Sequence, residues 1–446
     1  MQIRGLAIAA VLLAILAGGV WWAQKDKEKK EKEPAGGASA KILAVPEDQI
    51  QQVRIVKTGA DPVVLQREGG AWRITAPKSL PADSDTVNSL TSTLSSLISD
   101  RVIEEKAADL ATYGLAKPSL EVDVTKKDGK TEKLLVGDEA PTGGSFYAKT
   151  ANDPRVFTMA SWNKTSLDKN ARDLRDKRLL TFNSDKLTSV EVKSKGQDLT
   201  FGKNNQNEWQ IVKPKPMRAD NGHVEELVRK LREAKMDTSV SEEDDAKANT
   251  QFATAAPAGT VLVTDASGTQ QIDVRKDKEN HFLARSSVMD AAHRLSGELG
   301  DALGKSLDEY RNKKLFDFGF NDPTKVEIRD GAKSYAFQKS GEKWTAAGKE
   351  MNSASVQSLI DKLRDLSATK FVESGFTTPA IEITVSSNDN KRVEKVLISK
   401  TGNTFIARRE NEPALYELSP PAVDAIQSDA ASIKEPPPPP KDQKKK

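Results

Sequence analysis

The sequence predicts an α+β protein: three tandem repeats of a module with an antiparallel sheet and one main amphipathic helix, preceded by a single N-terminal transmembrane helix. Three observations predict it. Short alternating strands recur along the chain as Val53-Arg54-Ile55, Val190-Glu191-Val192 and Val326-Glu327-Ile328. A tryptophan follows each of them, and Trp72, Trp209 and Trp344 are spaced by 137 and then 135 residues. One uncharged run, Gly5 to Ala23, opens the chain. Spacings near 136 residues exceed those of solenoid repeats, so three globular modules in a row are expected.

The opening run, GLAIAAVLLAILAGGVWWA, has 19 residues. As a helix at about 1.5 Å per residue it reaches roughly 28 Å, close to the hydrocarbon thickness of a bilayer. Trp21 and Trp22 stand at its end, where indoles favour the headgroup zone. A membrane anchor in contact with the lipid bilayer is therefore expected, with a cleaved signal peptide as the alternative. Arg4 precedes the run, whereas Lys25, Lys27, Lys29, Lys30 and Lys32 follow it among four acids. A bare Lys/Arg count would leave the body in the cytoplasm. An N-terminal anchor followed by a large domain usually exports that domain, so the expected location is the inner (cytoplasmic) membrane, single-pass, with a periplasmic body.

The division expected along the chain is an anchor (1–24), a charged, Gly-containing linker (25–40), modules at 41–181, 182–317 and 318–434, and a Pro/Lys tail (435–446). Mixed charge and then Pro34, Gly36 and Gly37 make residues 25–40 a spacer that cannot bury apolar surface. Pro436 to Pro440 read as a polyproline II stub with a basic tip.

Within each module a helix follows the tryptophan. Its apolar positions are Val87, Leu90, Leu94 and Leu97; then Val224, Leu227, Val228 and Leu231; then Val356, Leu359, Ile360 and Leu363. This 3.6-residue spacing makes one buried face. Asp83, Asp220 and Asn352 precede each first valine by four residues and are the expected caps. An aromatic and a proline come next (Tyr113 and Pro118, Phe252 and Pro257, Phe376 and Pro379), leading into alternating strands. Asp128-Gly129, Ser267-Gly268 and Asn388-Asp389-Asn390 supply hairpin turns. A further strand carries Phe146-Tyr147-Ala148, Phe282-Leu283-Ala284 and Phe405-Ile406-Ala407. The joints match as well: Leu174 to Leu179 ahead of Phe182 parallels Tyr310 to Leu315 ahead of Phe318.

The N-terminal anchor, the Val-x-Ile/Val strands with their tryptophans, the Tyr113-Gly114-Leu115 turn with Pro118, the Val136-Gly137-Asp138-Glu139 hairpin with Tyr147-Ala148, and the Leu174-Arg175-Asp176-Lys177-Arg178-Leu179 joint resemble the bacterial DUF4340 family. The resemblance covers most of residues 42–430 and is weakest in the second half of module two. It implies an envelope protein with no established biochemical activity and an accessory role, in some members beside transporter-like membrane components.

Composition narrows the chemistry. Lys plus Arg is 68 and Asp plus Glu 65, a net charge of +3, which argues against a nucleic-acid partner. With no cysteine, thiol catalysis, disulfides and Cys-based zinc sites are excluded. The repeats act as an internal control on the three histidines. His223 matches Thr86 and Ser355, His281 matches Ser145 and Thr404, and His293 lies in a stretch without a clear match. Glu242 to Asp245 are expected in a solvated loop, and Glu104 and Glu105 likewise. The glycine-rich hairpin Gly137 to Gly144 lacks the Gly-Lys-Ser/Thr of a phosphate loop. The tryptophans are expected in the cores. Arg175 and Arg311 are expected to bond across the joints through Asp173 and Glu309. No catalytic, cofactor-binding or metal residue is assigned, and no cofactor is expected.

The functional expectation is a non-enzymatic, membrane-anchored binding or scaffold component with an envelope protein partner, transporter subunits among the options. Exposed sheet edges would suit contact by strand addition. The alternatives are an envelope polysaccharide or lipid binder, or a carboxylate-based hydrolase.

Overall fold

Three sheets of nine strands hold every named strand of the computed structural model, which describes residues 41–319 and 323–437. The expected anchor at 1–24, the linker at 25–40 and the tail beyond residue 437 lie outside the described residues. No helix among the described residues is long and apolar enough to cross a membrane.

The first sheet holds β1 (Ile50–Lys57), β2 (Val63–Glu68), β3 (Ala71–Ala76), β4 (Leu80–Pro81), β5 (Arg101–Glu104), β6 (Leu120–Lys126), β7 (Thr131–Glu139), β8 (Ser145–Thr150) and β9 (Val156–Ala160). Its spatial order is 4-3-2-1-6-7-8-9-5. The second repeats this order with β10 (Ser189–Ser194), β11 (Gln197–Lys203), β12 (Trp209–Lys213), β13 (Met217–Arg218), β14 (Lys235–Met236), β15 (Ala256–Asp265), β16 (Gly268–Lys276), β17 (Phe282–Ser286) and β18 (His293–Ser296). The third repeats it again with β19 (Lys325–Asp330), β20 (Lys333–Ser340), β21 (Lys343–Ala346), β22 (Lys349–Met351), β23 (Ala368–Val372), β24 (Ile381–Ser387), β25 (Arg392–Thr401), β26 (Thr404–Arg409) and β27 (Leu415–Leu418). All pairings are antiparallel. Register is conserved at the centre: Val53 faces Val124, Val190 faces Val263 and Val326 faces Val385. A slip of one residue would turn each of these apolar sets to the other face, so burial of one face holds the register. The chain divides into two compact units, one ending at Lys177 and one beginning at Arg178.

One helix crosses each sheet: α1 (Ser84–Ser96), α2 (Asn221–Glu233) and α3 (Ser353–Asp365). The expected caps hold. Side-chain oxygens of Asp83, Asp220 and Asn352 accept the backbone N–H of Thr86, His223 and Ser355 at 2.8, 3.0 and 3.0 Å. Such a cap contributes about 1 kcal/mol. The twelve apolar positions expected on the helix faces are all buried, with Leu97 just past the end of α1. Burying each stabilises its module by roughly 1.5–3 kcal/mol. Trp72, Trp209 and Trp344 are buried in the three cores beneath these helices. The third sheet is covered in addition by α4 (Pro420–Ser432), which packs along α3.

The aromatic–proline segment has a separate task. Tyr113 packs edge-on against Tyr147 of β8 with ring centroids 4.9 Å apart. Phe252 packs in a small cluster with Leu283, which holds the same place on β17. These aromatics stand outside the three main cores.

The exposed edges expected for strand addition are not what the fold presents. Edge strands are two to five residues long, and chain entering or leaving each module pairs beside them. Ile42 donates to Leu97 O at 2.9 Å; Leu179 to Ala234 O and Leu315 to Leu366 O repeat the contact at the same distance. On the opposite edge the N–H groups of Asp83, Asp220 and Asn352 donate to the carbonyls of Leu174, Tyr310 and Lys434. Short, partly paired edges give an incoming strand little ladder to extend.

Candidate functional site: a glycine lock and an ionic clamp

In the first compact unit, two glycines explain the motif around Tyr113. A Cβ on Gly137 would sit 2.0 Å from the carbonyl oxygen of Tyr113. A Cβ on Gly114, where φ is +64°, would sit 2.5 Å from the Asp138 carboxylate. At Gly137 the turn after Tyr113 and the irregular stretch of β7 thus press backbone to backbone, which only glycine permits. The Tyr113 hydroxyl donates to Glu104 at 2.9 Å, a bond that raises its pKa. Glu104, expected in a solvated loop, instead ends β5 and is half-buried because this hydroxyl holds it.

In the second unit, charged groups converge where β13 meets the start of the third module. Arg218 donates to Asp317 at 2.6 Å, to the carbonyl of Lys314 at 2.6 Å and to the Tyr416 hydroxyl at 3.1 Å, and pairs with Glu412 at 3.1 Å. Arg409 reaches Asp317 and Glu394 at 3.1 Å each and Glu412 at 2.9 Å. Asp317 takes Arg218 and Arg409 on one oxygen and the Asn312 amide on the other. Burial works against the Arg218 cation, but Asp317, Tyr416 and Glu412 outweigh it and hold its pKa above the usual range. Arg392 is held more loosely, 3.4 Å from Glu208 and Glu394 and 3.8 Å from Asp317. A cleft of about 350 Å³ opens beside the cluster. The repeat shows how the clamp is built. Asp317 N–H donates to Glu394 at 2.8 Å, and Thr181 N–H makes the same contact with Gln270. At the place of Arg218 the first sheet carries Pro81. Charges installed on a neutral contact thus fasten the third module to the edge of the second sheet.

The remaining candidates have structural places. His223 caps onto Asp220, and its ring lies 2.5 Å from the Glu309 carbonyl. His281 forms a turn with Asp277 and Glu279; their ligand atoms lie within 4.8 Å of one another, a spacing within reach of a metal ion. His293 does have counterparts: it faces Ala284 as Phe157 faces Ala148 and Tyr416 faces Ala407. Its Nδ1 lies 2.9 Å from Asp245. This corrects the expectation for Glu242 to Asp245. They form a short helix, Glu242–Ala246, and Asp245 turns inward to the histidine while the other three stay exposed. Glu309 does not serve Arg311 as expected: its carboxylate closes a capping box with Ser306, as that of Asp173 does with Asn170. Arg311 pairs instead with Asp308 at 3.0 Å and lies 3.4 Å over the Phe371 ring.

A protein of three equivalent sheets, with motif residues spent on backbone packing, is thus defined. The family model described as Domain of unknown function (DUF4340) matches residues 72–208 and 209–383, and the chain belongs to this family. Each match begins at a core tryptophan, so the family unit runs from β3 or β12 into the following sheet and is out of frame with the folded module. No curated protein and no solved structure matched the chain.

Proposed function

We propose that this chain is a membrane-anchored, extracytoplasmic scaffold of the bacterial envelope, working by protein contact rather than by catalysis. The observation that carries the proposal is the ionic clamp. Three guanidinium groups and four carboxylates are committed to fixing one module against the next, an arrangement suited to holding binding faces in a set geometry. The apolar run Gly5 to Ala23 and the charged spacer after it support attachment to the inner membrane at a distance. Transporter subunits are the partner class that the family resemblance favours.

Cell fractionation with protease added to spheroplasts tests the placement. The full-length chain is expected in the membrane fraction, at its uncleaved mass and digested by external protease. Recovery as a shortened soluble form, or full protection from external protease, would overturn the anchored, exported arrangement.

A further inference from the structure

A second cleft, on the second sheet alone, carries a different chemistry. It has a volume of about 580 Å³ and lies over β15 and β16, beside the turn between β10 and β11. Lys193, Lys195, Arg275 and Arg285 line it, with Asp273 as the single carboxylate. Both guanidinium groups flank one aromatic ring: their carbons stand 4.7 and 4.9 Å from the centre of Phe252. The segment bearing Phe252 is braced by Asn249, which accepts from Ala292 N–H at 2.8 Å, and by the Asp245–His293 contact. Arg275 donates to the carbonyls of Phe252 and Ala253 at 3.1 and 3.3 Å, and Arg285 to the Asn249 amide oxygen at 3.3 Å. Neither forms an ion pair with a carboxylate among the described residues. Asp273 is engaged by Thr260 at 2.7 Å and by Gln271 at 2.9 Å.

The sister modules show that the fold does not require this charge. By strand register, Arg275 occupies the place of Gly137 on β7 and Ser399 on β25. Arg285 occupies that of Lys149 and Arg408. Where the second module has two arginines about an aromatic ring, the third has Arg408 alone beside Phe376, and the first packs Tyr147 on Tyr113. Four cations against one carboxylate is a local excess in a chain that is otherwise nearly balanced. Guanidinium forks match the oxygens of a phosphoryl group, and a partly enclosed wall strengthens the attraction. A ring held between the two arginines fixes them in place, so less side-chain freedom is lost on binding. The volume falls within the range of small-ligand clefts.

We infer that this cleft binds the phosphoryl group of a small anionic ligand, free or as a lipid headgroup. The site is independent of the scaffold proposal. Full-length protein in zwitterionic nanodiscs would be titrated calorimetrically with glycerol 3-phosphate, dihexanoyl phosphatidic acid, dihexanoyl phosphatidylcholine and glycerate. Saturable binding of the two phosphate monoesters is expected, weakened about tenfold by Arg275→Ser, which installs the residue of the third module, and similarly by Lys193→Gln, which alters an exposed side chain. Equal affinity for both monoesters would identify a soluble phosphate compound as the ligand; tighter binding of the lipid would identify a headgroup. Absence of binding, undiminished binding by the Lys193→Gln variant, or equal affinity for glycerate would overturn the inference.

Discussion

Replacing Arg218 by alanine is expected to lower the stability of the second compact unit by about 3–5 kcal/mol, the cost of removing one partner from a buried ionic cluster. Arg218 is only 16% exposed at its side chain and touches Asp317, Glu412, Tyr416 and the Lys314 carbonyl. Without it, Asp317 and Glu412 share Arg409 as their remaining close arginine, and a main-chain carbonyl loses its donor. Most of the loss comes from two largely buried carboxylates left to share one close arginine. A variant that also removes an opposing charge, Arg218→Met with Glu412→Leu, should therefore recover much of it. Urea denaturation followed by tryptophan fluorescence measures both, because Trp209 and Trp344 lie in the two modules that the clamp joins. A loss below about 1 kcal/mol for the single variant would place the cluster among the weak surface pairs.

Gly137→Ala should have a comparable effect in the first unit, about 3 kcal/mol, the upper end of what overpacking usually costs. The added carbon would meet a backbone oxygen at 2.0 Å, with the Gly114 carbonyl carbon at 3.0 Å. Neither neighbour can rotate away, so β7 or the turn after Tyr113 must move. Gly114→Ala provides the contrast. There the obstacle is the Asp138 carboxylate, a side chain that can swing aside, leaving mainly the strain of a positive φ, about 1–2 kcal/mol. Thermal unfolding of the two variants should therefore rank Gly137→Ala as the more damaging. The reverse order would mean that the turn yields easily, and that the Tyr-Gly-Leu motif serves something other than this packing.

Local patterns carried much of the fold into the sequence. Asp83, Asp220 and Asn352 could be recognised because a cap and its apolar face lie within one helix, and three copies repeat the pattern. Trp72, Trp209 and Trp344 were legible for the same reason. Pairings that join distant stretches were not. Arg218 and Tyr416 are 198 residues apart in sequence, and nothing near either announces the other. The edge strand Leu80–Pro81 is too short for any periodicity. Asp245 sits in a run of four acids whose composition says solvent, and only the placement of His293 on β18 turns it inward. The basic cleft was hidden likewise: Arg275 and Arg285 are ordinary strand residues until the register sets both beside Phe252.

The scaffold proposal stands or falls on a partner. Crosslinking in the native membrane with the full-length chain as bait, and residues 41–446 as the unanchored comparison, tests it most directly. Reproducible recovery of subunits of one membrane complex by the anchored chain, and their loss without the anchor, is the predicted result. Recovery of the bait alone, as a monomer, under conditions that crosslink other envelope complexes would contradict it.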